Sequence, residues 1–152
     1  LKGDRNMAKV VKKWNVPVCI MHNRKQMDYS DFIKDILSDM KESIYIAEKA
    51  GITKDKIILD PGVGFAKSYV QNLQVIANAE KIKELGYPVL FGVSRKSVIG
   101  QALGTEVDKR EEGTLAVSVY AALKKCDMIR VHDVGKNVLA LKMIEAIQSQ
   151  SV

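Results

Sequence analysis

The sequence has few residues of the kinds that build disulfide scaffolds, metal centres or membrane spans: two cysteines, two histidines, three prolines and 6% aromatics in 152 residues. Cys19 and Cys126 sit far apart beside apolar segments, with no metal-ligand spacing. They read as reduced packing residues, which fits a cytoplasmic location. His22 and His132 have no metal partner at a standard spacing, so no metal site is expected from these residues. No apolar run approaches the ~20 residues that span a bilayer, and no signal-peptide pattern opens the chain, so no membrane partner is expected. A Gly-x-Ser-x-Gly elbow is missing, and Gly62-x-Gly64-x-x-Lys67 matches neither the full dinucleotide fingerprint nor a Walker loop. With no linker and no low-complexity segment, residues 1–152 read as one unit.

What is present is an ordinary globular balance, 47% apolar and 28% charged, with a net charge of +6. The basic residues are dispersed: Lys9, Lys12 and Lys13 share a helix face, and Lys124 and Lys125 close another helix. Without a basic run interleaved with aromatics, nucleic-acid binding is not expected, whereas an anionic small molecule suits the charge.

Apolar and polar periodicities alternate along the chain. A helix is expected from Asp4, its cap, to Trp14, with Met7, Val10, Val11 and Trp14 inward. A buried strand follows over Val16–Met21 and ends in His22-Asn23-Arg24. The longest helix runs from Ser30, its expected cap, to Ala50, and Gly51 stops it. A strand over Ile57–Asp60 opens into a glycine loop. A helix over Val70–Leu85 points Ile76, Ala79 and Ile82 inward, with Leu73 widening the stripe. Val89–Val93 forms a third strand, ending in Ser94-Arg95-Lys96-Ser97. A short helix, Val98–Leu103, leads to a polar loop, Gly104–Gly113, expected to be mobile. Thr114–Lys125 is helical with Leu115, Val119, Ala122 and Leu123 inward. Met128–Val131 is the fourth strand, and Lys136–Gln148 the last helix. Leu139, Ala140, Met143, Ile144 and Ile147 form its expected buried stripe.

Strands recurring every 30–40 residues or so, with a helix between each pair, imply right-handed crossovers and a parallel α/β sheet. An open doubly wound sheet and part of a (β/α)8 TIM barrel both satisfy that pattern. The polar residues favour the barrel, because every strand carries them at its carboxyl end, and barrel strands converge there on one mouth.

If the ends meet, they assemble a carboxylate (Asp60), three candidate cations (Arg95, Lys96 and Arg130), two histidines and a glycine surface (Gly62, Gly64 and Gly92). A buried carboxylate suits a ligand edge with two adjacent N–H donors. Cations beyond the last strands suit a phosphate. Together they ask for a planar nitrogenous ring joined to an anionic group. A strand-ending Asp60 that only caps a turn is the plainer alternative.

Five motifs carry a resemblance over nearly the whole chain: Met21-His22-Asn23-Arg24, Asp60-Pro61-Gly62-Val63-Gly64-Phe65-Ala66-Lys67, Phe91-Gly92-Val93-Ser94-Arg95-Lys96-Ser97, Arg110-Glu111-Glu112-Gly113-Thr114 and Ile129-Arg130-Val131-His132-Asp133-Val134. In that order they resemble the dihydropteroate synthase family, transferases of folate biosynthesis and sulfonamide targets. Ala66 stands where the family often has glycine.

The resemblance implies condensation of 6-hydroxymethyl-7,8-dihydropterin diphosphate with 4-aminobenzoate on a (β/α)8 barrel. It implies that Asp60, Lys96 and Arg130 carry the chemistry. Asp60 would bind the pterin edge, Gly92 would let the ring approach, and Lys96 would contact pterin and aminobenzoate. Phe65 and Ser97 would line the aminobenzoate site, and Arg130 would stack on the pterin and grip diphosphate with His132. His22 reads as structural, and Arg95 as solvated or ion-paired.

A barrel takes ~250 residues, so the chain resembles the C-terminal four βα units. Absent are an N-terminal strand with the Asn linked to Mg2+, two closing loops and other pterin contacts. Little activity is expected of the chain alone, and its open edges favour a homodimer or other self-association. A methyltetrahydrofolate methyltransferase and a non-catalytic fragment are the alternatives.

Overall fold

The fold, taken from a computed structural model, is described for residues 1–4 and 6–150. Arg5, within the helix expected from Asp4, and Ser151 and Val152, at the end of the expected unit, lie outside the described residues.

Helix α1 covers Met7–Trp14 and begins later than expected. Asp4 does not cap it; its Oδ1 accepts the Asn6 N–H at 2.8 Å in a preceding turn. Strand β1 is Val18–Met21, shortened because Pro17 has no N–H for a ladder. Helix α2 is Phe32–Lys49, capped by Asp31 rather than Ser30. Ser30 is drawn off to the Asp35 carboxylate, to which its own N–H donates at 2.8 Å.

Strand β2 is Ile57–Asp60, as its apolar run and terminal acid suggest. The single helix expected after it is two, α3 over Tyr69–Ala77 and α4 over Ala79–Lys83. A Ser68–Gln71 capping box starts the first. At the break, the Asn78 side-chain amide donates to the Gln74 carbonyl at 2.8 Å, competing with the helical ladder.

Strand β3 keeps only Leu90–Phe91 and β4 only Met128–Ile129. Between them lie α5, Ser97–Leu103, and α6, Glu111–Leu123. The segment expected to be a mobile loop therefore holds a 3-10 turn, Val107–Lys109, and the first turn of α6. Helix α7, Val134–Gln148, starts early because Asp133 caps it by accepting the Lys136 N–H at 3.1 Å.

Parallel pairing aligns Val18 with Ile57 and Met21 with Asp60, and elsewhere Leu90 with Met128 and Phe91 with Ile129. A parallel bridge between Leu59 and Val89, with Leu59 N donating to Pro88 O at 2.8 Å, joins the two pairs. The strands thus lie side by side in chain order. A doubly wound sheet reverses its order at a switch point, and no reversal occurs among the described strands. The sequence is an α/β fold with a parallel sheet and covering helices.

Alternation along the pleat then sorts the side chains. Leu59, Val89, Phe91 and Ile129 face the helices, with Leu59 and Val89 at 0% exposure and Phe91 at 1%. They pack with Ile36 and Met40 of α2, Val75 of α3 and Ile82 of α4 in one core. Cys19, Ile58, Leu90 and Met128 share the opposite face, followed at the carboxyl ends by Met21, Asp60, Gly92 and Arg130. Cys19 is exposed there, so it is not the packed residue expected; Cys126 is half-buried, and both thiols are free.

The expected apolar stripe of α7 is not buried. Leu139 is 71% exposed, Met143 60% and Ile147 54%, while Ala140 and Ile144 are half-buried; Asn137 is its buried residue. Helix α6 packs against α7, yet most of the stripe stays exposed. Helix α6 itself buries Thr114, Ser118 and Ala121, leaving Leu115, Val119 and Ala122 half-covered and Leu123 exposed. In α1, Val11 is buried with Ala8, whereas Met7, Val10 and Trp14 are exposed; Leu73 of α3 is exposed as well. Periodicity marks a face that can be buried; it does not supply the neighbour.

Leu59→Ala is expected to lower unfolding stability by about 2–5 kcal/mol through lost burial and a residual cavity. Leu139→Ala on the uncovered stripe is expected to stay within about 0.5 kcal/mol. Urea unfolding midpoints of the two variants check the contrast, which a buried α7 stripe would erase.

Candidate active site

Asp60 closes β2 at the point where Pro61 ends the ladder, and the next backbone turn folds over its carboxylate. Asp60 Oδ1 accepts the Gly62 N–H at 2.8 Å, and His22 N donates to Asp60 O at 2.8 Å, extending the β1–β2 ladder. Gly62 has a positive φ of 69°, and a Cβ on it would collide with the His22 carbonyl. Glycine is required there on both counts. Gly64 also has a positive φ (86°), and its N–H donates to Asn72 Oδ1 at 2.6 Å. Ala66, with φ 45°, takes the same left-handed conformation with a Cβ, which makes plain why glycine is the easier residue at that position.

Burial pushes the Asp60 carboxyl above its ordinary pKa; the Gly62 N–H and the positive charges of Lys96, Arg130 and Lys67 pull it back. Asp60, on the sheet face turned away from the core helices, is therefore within electrostatic reach of three cations. Arg130 follows β4, and its N–H donates to Phe91 O at 2.9 Å. Its guanidinium lies over Gly92, where a Cβ would come within 3.0 Å of Nη2, so the small residue makes room for the large one.

Lys96, after β3, crosses back toward the Asp60 loop. Its Nζ donates to Val63 O and stands 4.8 Å from the centre of the Phe65 ring, a cation–π contact. Burial lowers the Lys96 pKa, with Asp60 opposing that shift and Arg130 adding to it. His132 is tied to Ser94: its Nδ1 is 2.8 Å from Ser94 Oγ, which accepts the His132 N–H at 3.2 Å. Ser97 is exposed at the first position of α5. Phe65, Arg130 and His132 are exposed too, so the groups at these strand ends are open to solvent. Among the described residues, no cluster of three or more His, Cys, Asp or Glu is placed to hold a metal.

Beneath the loop runs a buried polar chain that spacing alone did not single out. Lys67, 8% exposed, directs Nζ at His22 Nδ1 (3.0 Å), Gly62 O (2.9 Å) and Phe65 O (3.0 Å). His22 Nε2 is 3.0 Å from Asp39 Oδ2, which also accepts from Arg24 Nε at 2.6 Å. Because the Lys67 ammonium donates to Nδ1, His22 is the Nε2–H tautomer that donates to Asp39. Lys67 thereby pins both ends of the Gly62–Phe65 turn. Burial lowers its pKa to about 8 against the pull of Asp60. The only hint in the sequence was that a lysine closes the glycine motif.

Burial, then the Lys67 charge, lowers the His22 pKa to about 4, with Asp39 opposing. The unfolded state thus binds the extra proton between the ordinary value near 6.5 and about 4. Stability is complete above that window and falls as pH drops through it, by up to about 1.4 kcal/mol per pH unit. Imidazole NMR is expected to show His22 titrating near 4. A midpoint at 6 or higher would remove this linkage.

The sequence profile of pterin-binding enzymes matches residues 1–132. The dihydropteroate synthase of Clostridium beijerinckii is 54% identical over 147 residues, covering 96% of this chain and 55% of that protein. That of Bacillus subtilis is 46% identical, covering 96% and 51%. The chain therefore spans about half the length of the curated relatives it matches. Among solved structures, the dihydropteroate synthase of Clostridium difficile, determined in the presence of pteroic acid, has a TM-score of 0.93 at 47% identity, over 97% of this chain and 56% of that one. The Yersinia pestis enzyme with a pterine–sulfa conjugate has a TM-score of 0.89 at 38% identity, over 95% and 56%. Motifs, fold and profile agree: the chain belongs to the family of pterin-binding enzymes.

Proposed function

We propose that residues 1–152 are the C-terminal four βα units of a (β/α)8 barrel and carry much of the substrate site of a dihydropteroate synthase. The reaction joins 6-hydroxymethyl-7,8-dihydropterin diphosphate to 4-aminobenzoate and releases diphosphate. The observation that carries this reading is a buried carboxylate, Asp60, facing Lys96 and Arg130 across the carboxyl ends of the parallel strands β2, β3 and β4.

A flat ring with two adjacent N–H donors complements the Asp60 carboxylate, and Gly92, without a side chain, lets the ring approach the strand end beside the Arg130 guanidinium. Arg130 stacks on the pterin, and with His132 holds the diphosphate. As the C–O bond lengthens, charge grows on the leaving diphosphate, and fixed cations stabilise it without reorganising. Bond breaking ahead of amine attack leaves a carbocation stabilised by the pterin, so holding the amine in line matters more than a strong base. Phe65 and Ser97 flank the 4-aminobenzoate, the position a sulfonamide would compete for, and Lys96 stands between the two substrates.

Mg2+ is not fitted by the residues described: Asp60 is surrounded by cations, and no acidic or histidine cluster accompanies it. Its ligands belong to the remainder of a full-length enzyme. The uncovered inner face and α7 stripe suit association with that remainder or with a second copy, in the cytoplasm. No helix described is long and apolar enough to cross a membrane.

Calorimetry tests the site without requiring turnover. Pterin diphosphate is expected to bind the chain, and Asp60→Asn to weaken binding about tenfold or more, since about 1.4 kcal/mol corresponds to each factor of ten. Arg130→Ala is expected to weaken the diphosphate form more than the hydroxymethylpterin. Absence of heat with the parent chain would leave a packing module instead. Turnover by the chain alone is expected to be negligible, and rates like those of a full barrel would contradict the half-barrel reading.

A further inference from the structure

The motif Arg110-Glu111-Glu112-Gly113-Thr114 touches none of the groups assigned to substrate, yet it grips the residue that precedes Lys96 from every side. Arg95 has a φ of 57°, the left-handed region that a side chain rarely adopts. It lies inside a turn closed by Lys96 N donating to Val93 O at 3.0 Å. Its N–H donates to Thr114 Oγ1 at 3.1 Å, and its carbonyl accepts from Arg110 Nη1 at 3.0 Å. Its guanidinium donates through Nε and Nη2 to Glu111 Oε2, both at 3.3 Å.

The gripping residues are themselves fixed. Thr114, 2% exposed, donates from Oγ1 to Arg110 O at 2.8 Å. Arg110 Nε donates to Thr105 O at 3.2 Å, and the guanidinium lies against Gly100, where any Cβ would collide with it. A single turn of α6 thus satisfies the N–H, the carbonyl and the side chain of one strained residue. Backbone held in a sparsely populated conformation persists where its surroundings over-determine it, and such residues cluster at functional sites. The next residue is Lys96, whose ammonium reaches Val63 O and the Phe65 ring of the neighbouring loop.

We propose that Arg110, Glu111 and Thr114 are positioning residues: they lock Arg95 in its left-handed conformation and so aim Lys96 at the Phe65 loop. The importance of that aim for substrate rests on the reading of the site given above, but the geometric coupling does not. Relaxing Arg95 rotates the peptide that carries Lys96 and withdraws its side chain from the Phe65 ring.

Labelling lysine with 13C at Cε and assigning Lys96 through Lys96→Arg tests the coupling in the unliganded chain. In the parent, the Lys96 Hε signals are expected upfield of the other lysines because of the Phe65 ring current. Thr114→Ala is expected to remove about half or more of that displacement, Thr114→Ser to restore it, and Arg110→Lys, which keeps the charge but not the fork, to reduce it. Unfolding midpoints measured alongside separate this from general loosening, which lowers stability without moving the Lys96 signals of the folded state. Unmoved Lys96 signals in folded Thr114→Ala and Arg110→Lys would overturn the proposal. If Thr114→Ala does not fold, Arg110→Lys alone decides. Pterin diphosphate binding by the same variants is a separate arm: a parent chain that fails to bind counts against the substrate reading, while the Lys96 signals still decide the coupling.

Discussion

A carboxylate kept out of water among positive charges is the interaction on which the arrangement of this chain depends. Asp60 lies at the end of the central β2 strand, largely buried, with one oxygen taken by Gly62 and with Lys67, Lys96 and Arg130 around it. Removing an ionised carboxyl from water is unfavourable unless hydrogen bonds and opposite charges offset the loss. The surrounding backbone is shaped to do so. Gly62 turns tightly enough to donate, Lys67 holds the same turn from beneath, and parallel register brings residues from β2 and β4 to one face. Two of the three cations remain able to meet a ligand; Lys67 has spent its hydrogens on His22 and two carbonyls.

Different physical devices position the groups at the carboxyl ends of the strands. Register and pleat place Asp60 and Arg130, so their relation is as firm as the sheet. Lys96 depends on a turn, and that turn depends on α6 through Arg95. His132 depends on Ser94, a hydroxyl at the end of the neighbouring strand. Phe65 is carried by a loop whose carbonyls Lys67 fastens. The rigid sheet therefore supplies the acid and one cation, while the elements flanking it hold Lys96, His132 and Phe65.

Much of this was legible in residue order. Ile57–Asp60 announced a buried strand ending in an acid, and its limits agree with the structure. The βα rhythm indicated a parallel sheet, and polar residues at the strand ends marked one edge of it. Boundaries fared worse wherever two local hydrogen bonds compete: Ser30 lost the cap to Asp31, and Asn78 split a helix whose apolar spacing continues across the break. Faces fared worst in α7, because a stripe such as Leu139–Met143–Ile147 states what is apolar and not what covers it. The grip of Thr114 on Arg95 and of Lys67 on His22 links residues far apart in sequence, and no periodicity announces such pairs.

The central claim is that the acid at the end of β2 and the cations after β3 and β4 address one small molecule. A crystal structure of the chain with pterin diphosphate bound tests this most directly. The expected density has the ring's paired N–H donors on Asp60, its face against Arg130, and the diphosphate beside Arg130 and His132. A ligand seated away from the inner face, or one touching Asp60 with Arg130 turned outward and unengaged, would contradict it.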